Sequence, residues 1–164
     1  MRIGLTGDTH NNLKNVAKIC DIFNCHNLDF VIHTGDISLP KTLYAFDKLG
    51  VPLKGVFGNN DQGDKEDLIK VCQKKGFLFE DILEIEISNE NSLFAIHDPG
   101  DIEDRFYKSG NIIVHGHTHR FRNEIYRNTY IFNPGECAGF IKDMNNVGIL
   151  SISENDVEME IIKF

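Results

Sequence analysis

Short apolar runs recur along the first half of the chain, each closed by a polar turn: Ile3–Thr6, Phe30–Thr34 and Pro52–Phe57. Between the first two, Leu13, Val16, Ala17, Cys20 and Phe23 recur at the spacing of one helix face. Pro40 opens a second helical stretch to about Leu49, since proline is well tolerated at a helix start. Lys65–Lys75 reads as a third helix. This strand–helix alternation predicts a parallel sheet with helical crossovers. The second half is richer in strand. Ile82–Ile87 and Leu93–His97 flank the turn-forming segment Ser88-Asn89-Glu90-Asn91-Ser92, a hairpin pattern. Asp101–Ser109 reads as a short helix ended by Gly110. Ile112–His115, Glu124–Tyr126, Thr129–Phe132, Val147–Ser153 and Val157–Ile162 read as strands, with Asn155-Asp156 turning between the last two. The expected fold is α/β, with two sheets packed face to face and helices outside.

Size fits one domain spanning residues 1–164, with no linker, repeat or low-complexity tract. The net charge of -8 disfavours non-specific nucleic-acid binding, which rests on neutralising phosphates with Lys and Arg. No apolar run is long enough to cross a bilayer, so no membrane association is expected. Met1–Thr6 reads as a strand and not as a secretion signal, which makes the cytoplasm the default compartment. Cys20, Cys25, Cys72 and Cys137 match no zinc or redox spacing and are expected as free thiols.

The candidate chemistry lies at the ends of the apolar runs. Asp8-Thr9-His10, Gly35-Asp36, Gly58-Asn59-Asn60-Asp61, His97 and Gly116-His117-Thr118-His119 all sit at or just after predicted strands. Open α/β sheets place their binding sites at the carboxyl ends of strands. Asp8 and His10 are two apart, as are His117 and His119, so in extended backbone each pair would face one way. An Asp or Asn after Gly is by itself an ordinary turn residue. Together, Asp8, His10, Asp36, Asn59, His97, His117 and His119 make seven N and O donors. That is too many for one metal ion and suits two, the arrangement used in phosphate-ester hydrolysis. Imidazole and carboxylate without thiolate suit manganese, nickel, zinc, iron or cobalt.

In order and spacing, Asp8-x-His10, Gly35-Asp36, Gly58-Asn59-x-Asp61, His97 and Gly116-His117-x-His119 resemble the calcineurin-like metallophosphoesterase superfamily. The short, cap-free chain is similar to its small bacterial and archaeal phosphodiesterase branch, as is the turn Asn133-Pro134-Gly135. The resemblance implies a four-layer sandwich of two mixed β-sheets and a dinuclear site. Asp8, His10, Asp36 and His119 would hold one divalent transition-metal ion. Asp36, Asn59, His97 and His117 would hold the other, with Asp36 bridging. Manganese and nickel are the expected ions. A hydroxide shared by two ions about 3.5–4 Å apart would attack phosphorus.

Three segments depart from the wider family. Many relatives carry His where this chain has Asn60, which can donate a hydrogen bond but cannot deliver a proton. Since general acid catalysis is typically worth about 10²–10⁴-fold, esters with good leaving groups are the expected substrates. Asp98-Pro99 stands where Gly-His is common, and Glu136 where Ser is usual. Asn60 and Asp36 are the candidate catalytic residues, and Asn60 and Asn11 the candidate substrate contacts; Asn11 reads equally as a helix cap, and Asn12 as a cap. His33 and His115 fit either support of a ligand or plain core packing. His26 is expected in solvent.

The expected activity is metal-dependent hydrolysis of small phosphodiesters. Two other readings stay open: a phosphomonoesterase, and a protein-interaction scaffold with a vestigial metal site, as in the retromer subunit of similar fold. The intact histidine set favours the enzyme. The oligomeric state, homo-oligomer included, is not legible.

Overall fold

The computed structural model describes residues 1–154 and 156–164. β1 (Arg2–Thr6), β2 (Phe30–His33), β3 (Leu53–Val56) and β4 (Leu78–Glu80) run parallel in one sheet. β10 (Asn146–Ile152) and β11 (Val157–Lys163) extend it antiparallel, giving the order β11-β10-β1-β2-β3-β4. The second sheet, β5-β6-β7-β9-β8, is built from β5 (Ile82–Glu86), β6 (Ser92–Ile96), β7 (Ile112–His115), β8 (Arg122–Tyr126) and β9 (Thr129–Asn133). β6, β7 and β9 are mutually parallel, while β5 and β8 pair antiparallel at the two edges. Both sheets are mixed, as expected.

The strand alternation of period two decides which side chains meet. Ile3, Leu5 and Ile32 face the second sheet and pack with Leu93, Ala95, Ile112, Val114 and Phe132. Val31, on the opposite face of β2, packs with the three helices α1 (Leu13–Asn24), α2 (Pro40–Ala45) and α3 (Lys65–Lys75). Gly4 lets α1 settle closely: a Cβ there would lie 3.0 Å from Phe23, Leu28 and Val31 side chains. Asn12 caps α1 by accepting the Asn15 N–H at 3.1 Å, as read from the sequence. Gly76, at φ 71°, ends α3 in the left-handed turn that glycine adopts without strain.

Three expectations need correction. The helix from Pro40 stops at Ala45 and tightens into a 3₁₀ turn, Phe46–Lys48, which carries Phe46 into the core. Asp101–Ser109 is not an α-helix; the segment holds two 3₁₀ turns, Pro99–Asp101 and Asp104–Phe106. Only Ile102, Phe106 and Tyr107 face the outer side of the second sheet there, too few for a helical stripe. The fourth layer is therefore a thin one. β4 went unread because it is a three-residue edge strand in which Phe79 is the residue packed into the helix-side core. The Asn155 half of the expected last turn lies outside the described residues.

Candidate metal centre

All the candidate donors converge on one edge, where β1, β2, β3, β6 and β7 end. Asp8 and His10 follow β1, Asp36 follows β2, and Asn59 opens the 3₁₀ turn Asn59–Asp61 after β3. His97 follows β6, and His117 and His119 follow β7. Asp8, Asp36 and His97 are buried, His10 and His119 half-buried, and Asn59 and His117 exposed.

The convergence is not made by extended backbone. Asp8, His10, Asp36, His117 and His119 have φ of 49°, 39°, 57°, 64° and 55°. The chain must fold back over the sheet edge at each strand end, and left-handed residues make that turn. Each such non-glycine residue costs of order 1–3 kcal/mol, and strain of this kind gathers at functional sites. In both the 8–10 and 117–119 segments the left-handed residues recur two apart, so the pairs still face one centre.

Asp36 stands between two groups of donors. Its Oδ2 lies 3.4 Å from His10 Nε2 and its Oδ1 3.4 Å from His97 Nε2. On the first side, His10 Nε2 and His119 Nε2 are 3.3 Å apart, and His119 Nε2 lies 3.7 Å from Asp8 Oδ1. On the second, Asn59 Oδ1 lies 2.9 Å from His97 Nε2 and 3.0 Å from His117 Nδ1. Two trios able to hold an ion share Asp8: Asp8, His10 and His119, and Asp8, Asp36 and His97.

The chemistry of this set fits cations. His97 donates from Nδ1 to the Thr34 carbonyl at 2.8 Å, and His119 from Nδ1 to buried Glu136. In each ring the Nε2 lone pair is left facing the centre, the usual support of a metal-binding imidazole. Exposed His117 turns Nδ1 inward and has Nε2 3.5 Å from Asp98 Oδ2. Asp8 is pushed up to about 8 by burial, then by the nearby Asp36 charge, while the His117 N–H opposes the shift. Burial lowers His10. Carboxylates and lone pairs this crowded repel one another until a cation sits among them.

The surrounding residues hold the loops. Asp61, fully buried, accepts from the backbone N–H groups of Gly58 at 2.7 Å, Asp36 at 3.1 Å and Ser38 at 2.6 Å. Asn60 is turned toward Asp36, donating to Oδ1 through its backbone at 2.9 Å and to Oδ2 through its side chain at 2.7 Å. His33 accepts the Gly35 N–H at Nδ1 and donates from Nε2 to Thr9 at 3.0 Å, bracing the loops of Asp8 and Asp36. Its burial lowers its pKa to about 3. His115, lowered to about 4 chiefly by burial, instead donates from Nδ1 to the Gly116 carbonyl at 3.1 Å. Asn11 sits apart, its Oδ1 accepting from Thr42 at 2.9 Å. His26 is half-buried and caps α1 by donating to the Ile22 carbonyl at 2.7 Å, against the expectation of a solvated ring.

Sequence reasoning assigned no role to Asp61, Phe140 or the Thr34 carbonyl. Asp61 was visible as the end of the Gly58–Asp61 motif; nothing in the sequence distinguishes Phe140.

Residues 1–155 match the calcineurin-like phosphoesterase superfamily domain. The chain belongs to that superfamily. Within it, the chain is 29% identical over 161 residues to Phosphodiesterase MJ0936 of Methanocaldococcus jannaschii, covering 95% of this chain and 96% of that one. A solved archaeal phosphodiesterase superposes with a TM-score of 0.85 at 29% identity, covering 99% of this chain and all of the other. Vacuolar Protein Sorting 29 from Cryptosporidium parvum shares the fold at 16% identity and a TM-score of 0.60, covering 99% of this chain and 97% of that one. As a calcineurin-like phosphoesterase, the chain is fitted for divalent metal ions, and the grouped donors are where it can hold them.

Proposed function

We propose that this protein is a phosphodiesterase that hydrolyses small phosphodiesters at a two-ion centre. The observation that carries the reading is Asp36, whose two oxygens face different histidines at equal distances of 3.4 Å. Asp8, His10, Asp36 and His119 would hold one ion, and Asp36, Asn59, His97 and His117 the other. Manganese or nickel is the expected ion, with zinc, iron or cobalt as alternatives of the same donor preference. When bound, such ions activate water as the nucleophile and offset charge on the phosphate.

The chain's own residues do the rest. Glu136 and the Thr34 carbonyl keep His119 and His97 in the tautomer that presents Nε2. Asn60, exposed beside Asp36, offers an amide that can donate to a phosphate or leaving oxygen but carries no transferable proton. Diesters with good leaving groups are therefore favoured. Asn11 spends its oxygen on Thr42 and keeps its amide nitrogen for a substrate contact. The relative named a phosphodiesterase supports the diester class. The acidic chain argues against nucleic acid as partner. The free cysteines, three of them buried, agree with a cytoplasmic setting.

Stripping the protein with chelator and restoring single metals, then assaying bis(4-nitrophenyl) phosphate beside 4-nitrophenyl phosphate, tests this. Turnover is expected only with transition metal, and faster on the diester. Bound metal with no turnover of either would replace the enzyme by a scaffold; preference for the monoester would make it a phosphomonoesterase.

A further inference from the structure

Beside the first group of donors, the loop between β9 and β10 raises an apolar shelf. Phe140 is 70% exposed and Ile141 51% exposed, yet neither lies in an idle part of the surface. The Phe140 ring centroid is 5.7 Å from that of His119, nearly parallel at 13°, and 5.3 Å from that of His10. Two imidazoles thus contact the Phe140 ring, and most of its remaining surface is bare. An open cavity of about 500 Å³ lies here, with His10, Asp36, Asn60, His119, Phe140 and Ile141 among its lining. No Lys or Arg lines it among the described residues.

The shelf is fixed to the donors. Glu136 is buried, and its two oxygens have different partners: Oε2 takes the His119 Nδ1–H, and Oε1 accepts the Phe140 backbone N–H at 2.7 Å. The foot of the loop is tied down by Asn12, which donates to the Ala138 carbonyl at 2.7 Å, and by Asn15, which donates to the Cys137 carbonyl at 2.9 Å. Residues 139–144 beyond this anchor are exposed. The same carboxylate that orients an imidazole therefore sets the height of the aromatic ring above the centre.

We propose that Phe140 is a specificity residue, and that the cavity lined by it and Asn60 takes an aromatic ester group of the substrate, packed against the exposed part of the ring. The proposal builds on the diesterase reading for the phosphate and adds the class of its organic substituent: flat, aromatic and uncharged. Aromatic rings in offset or stacked contact gain beyond simple burial. The pocket is lined by no Lys or Arg among the described residues, and its imidazoles are those proposed as metal donors, so no basic side chain is left over to hold a second phosphate and an extended polyphosphate substituent is not what it fits. Ile141 supplies the apolar edge that an aliphatic chain would also touch, but only the ring face separates an aromatic from an aliphatic group.

The test reads binding, so it stands apart from turnover. Phenylphosphonate and methylphosphonate are titrated calorimetrically into manganese-loaded protein, wild type and Phe140→Ala, with manganese affinity measured alongside. The wild type is expected to prefer the phenyl compound by about three- to tenfold, and Phe140→Ala to bind both alike with manganese affinity unchanged. Phe140→Tyr, which keeps the ring face, is expected to retain the preference. Equal binding of the two by the wild type, or a preference that survives in Phe140→Ala, would overturn the proposal. So would a fall in manganese affinity in Phe140→Ala, which would make the ring a prop for His119. Absence of diester turnover with the phenyl preference intact would instead remove the diesterase reading and leave the aromatic site standing.

Discussion

Asp8 occupies the most demanding position in the centre. Its side chain is fully buried, receives the His117 N–H at 3.0 and 3.1 Å, and lies close enough to Asp36 for their charges to oppose each other. In the metal-free protein its carboxyl is raised to about 8 from an ordinary 3.8. The folded chain therefore keeps a proton that the unfolded chain has released, and the contribution of Asp8 to stability falls as pH climbs from 4 toward 8. The buried His33 and His115, lowered to about 3 and about 4, act in the opposite sense: the unfolded chain holds protons on them up to about pH 7 that the folded chain does not, and their loss as pH rises offsets part of the Asp8 effect. Urea unfolding in chelator between pH 6.5 and 8 is expected to show a net loss of roughly 1 kcal/mol in the wild type. Asp8→Asn, uncharged throughout, is expected to flatten the curve and to lose ion binding. An unchanged slope in Asp8→Asn would place the titration elsewhere. Asp8 could be picked out as a candidate donor because its motif repeats the strand-end pattern of Asp36; the left-handed backbone beneath it could not, since Asp and His, though enriched at positive φ, adopt it at only a minority of positions.

At the scale of elements, the 3₁₀ turn Asn59–Asp61 joins the two halves of the donor set. Asp61 gathers backbone N–H groups from Gly58, Asp36 and Ser38, so the loops after β2 and β3 share one buried acceptor. Asp61→Ala would strand those N–H groups, each a costly loss in a buried place, and about 2–4 kcal/mol of stability is expected to go. With Asp36 and Asn59 loosened together, the bound metal is expected to fall from two ions per chain to one by elemental analysis. Asp61→Asn, which keeps one acceptor oxygen, is expected to lie between. Retention of two ions in a folded Asp61→Ala chain would deny the turn this task. Elements with strong periodicity, such as α1, α3 and β7, were readable almost to the residue. Those set by a single packed ring were not: Phe79 makes β4 an edge strand, and Phe106 draws its neighbours into 3₁₀ turns where a helix was expected.

At the scale of the whole molecule, the centre is a joint between two sheets. Asp8, His10, Asp36 and Asn59 come from the loops of the six-stranded sheet, and His97, His117 and His119 from those of the five-stranded one. Ions held by both should resist their separation. Manganese at a hundredfold excess over its dissociation constant is expected to add about 2–3 kcal/mol, read as a concentration-dependent rise in Tm. His119→Ala, which removes one side of the joint, is expected to cut that gain; an equal rise in the variant would mean that the ions grip one sheet alone. The meeting of distant segments could be inferred from strand-end placement, which the α/β architecture converts into nearness. The supporting contacts could not, because Glu136 reaches His119 through a loop whose path no periodicity records.

The place of β1 has a last consequence. It lies inside its sheet, with Ile3 opposite both Phe30 and Leu150. β1 leaves the ribosome well before its antiparallel neighbour β10, so one flank of the strand waits while the intervening segments are made. Nascent chains that have passed Asn59 but not His97 offer any cation a single imidazole, His10, among the donors. Capture of the proposed ion pair is thereby postponed until His97, His117 and His119 have followed, and chains short of them make poor competitors for scarce metal.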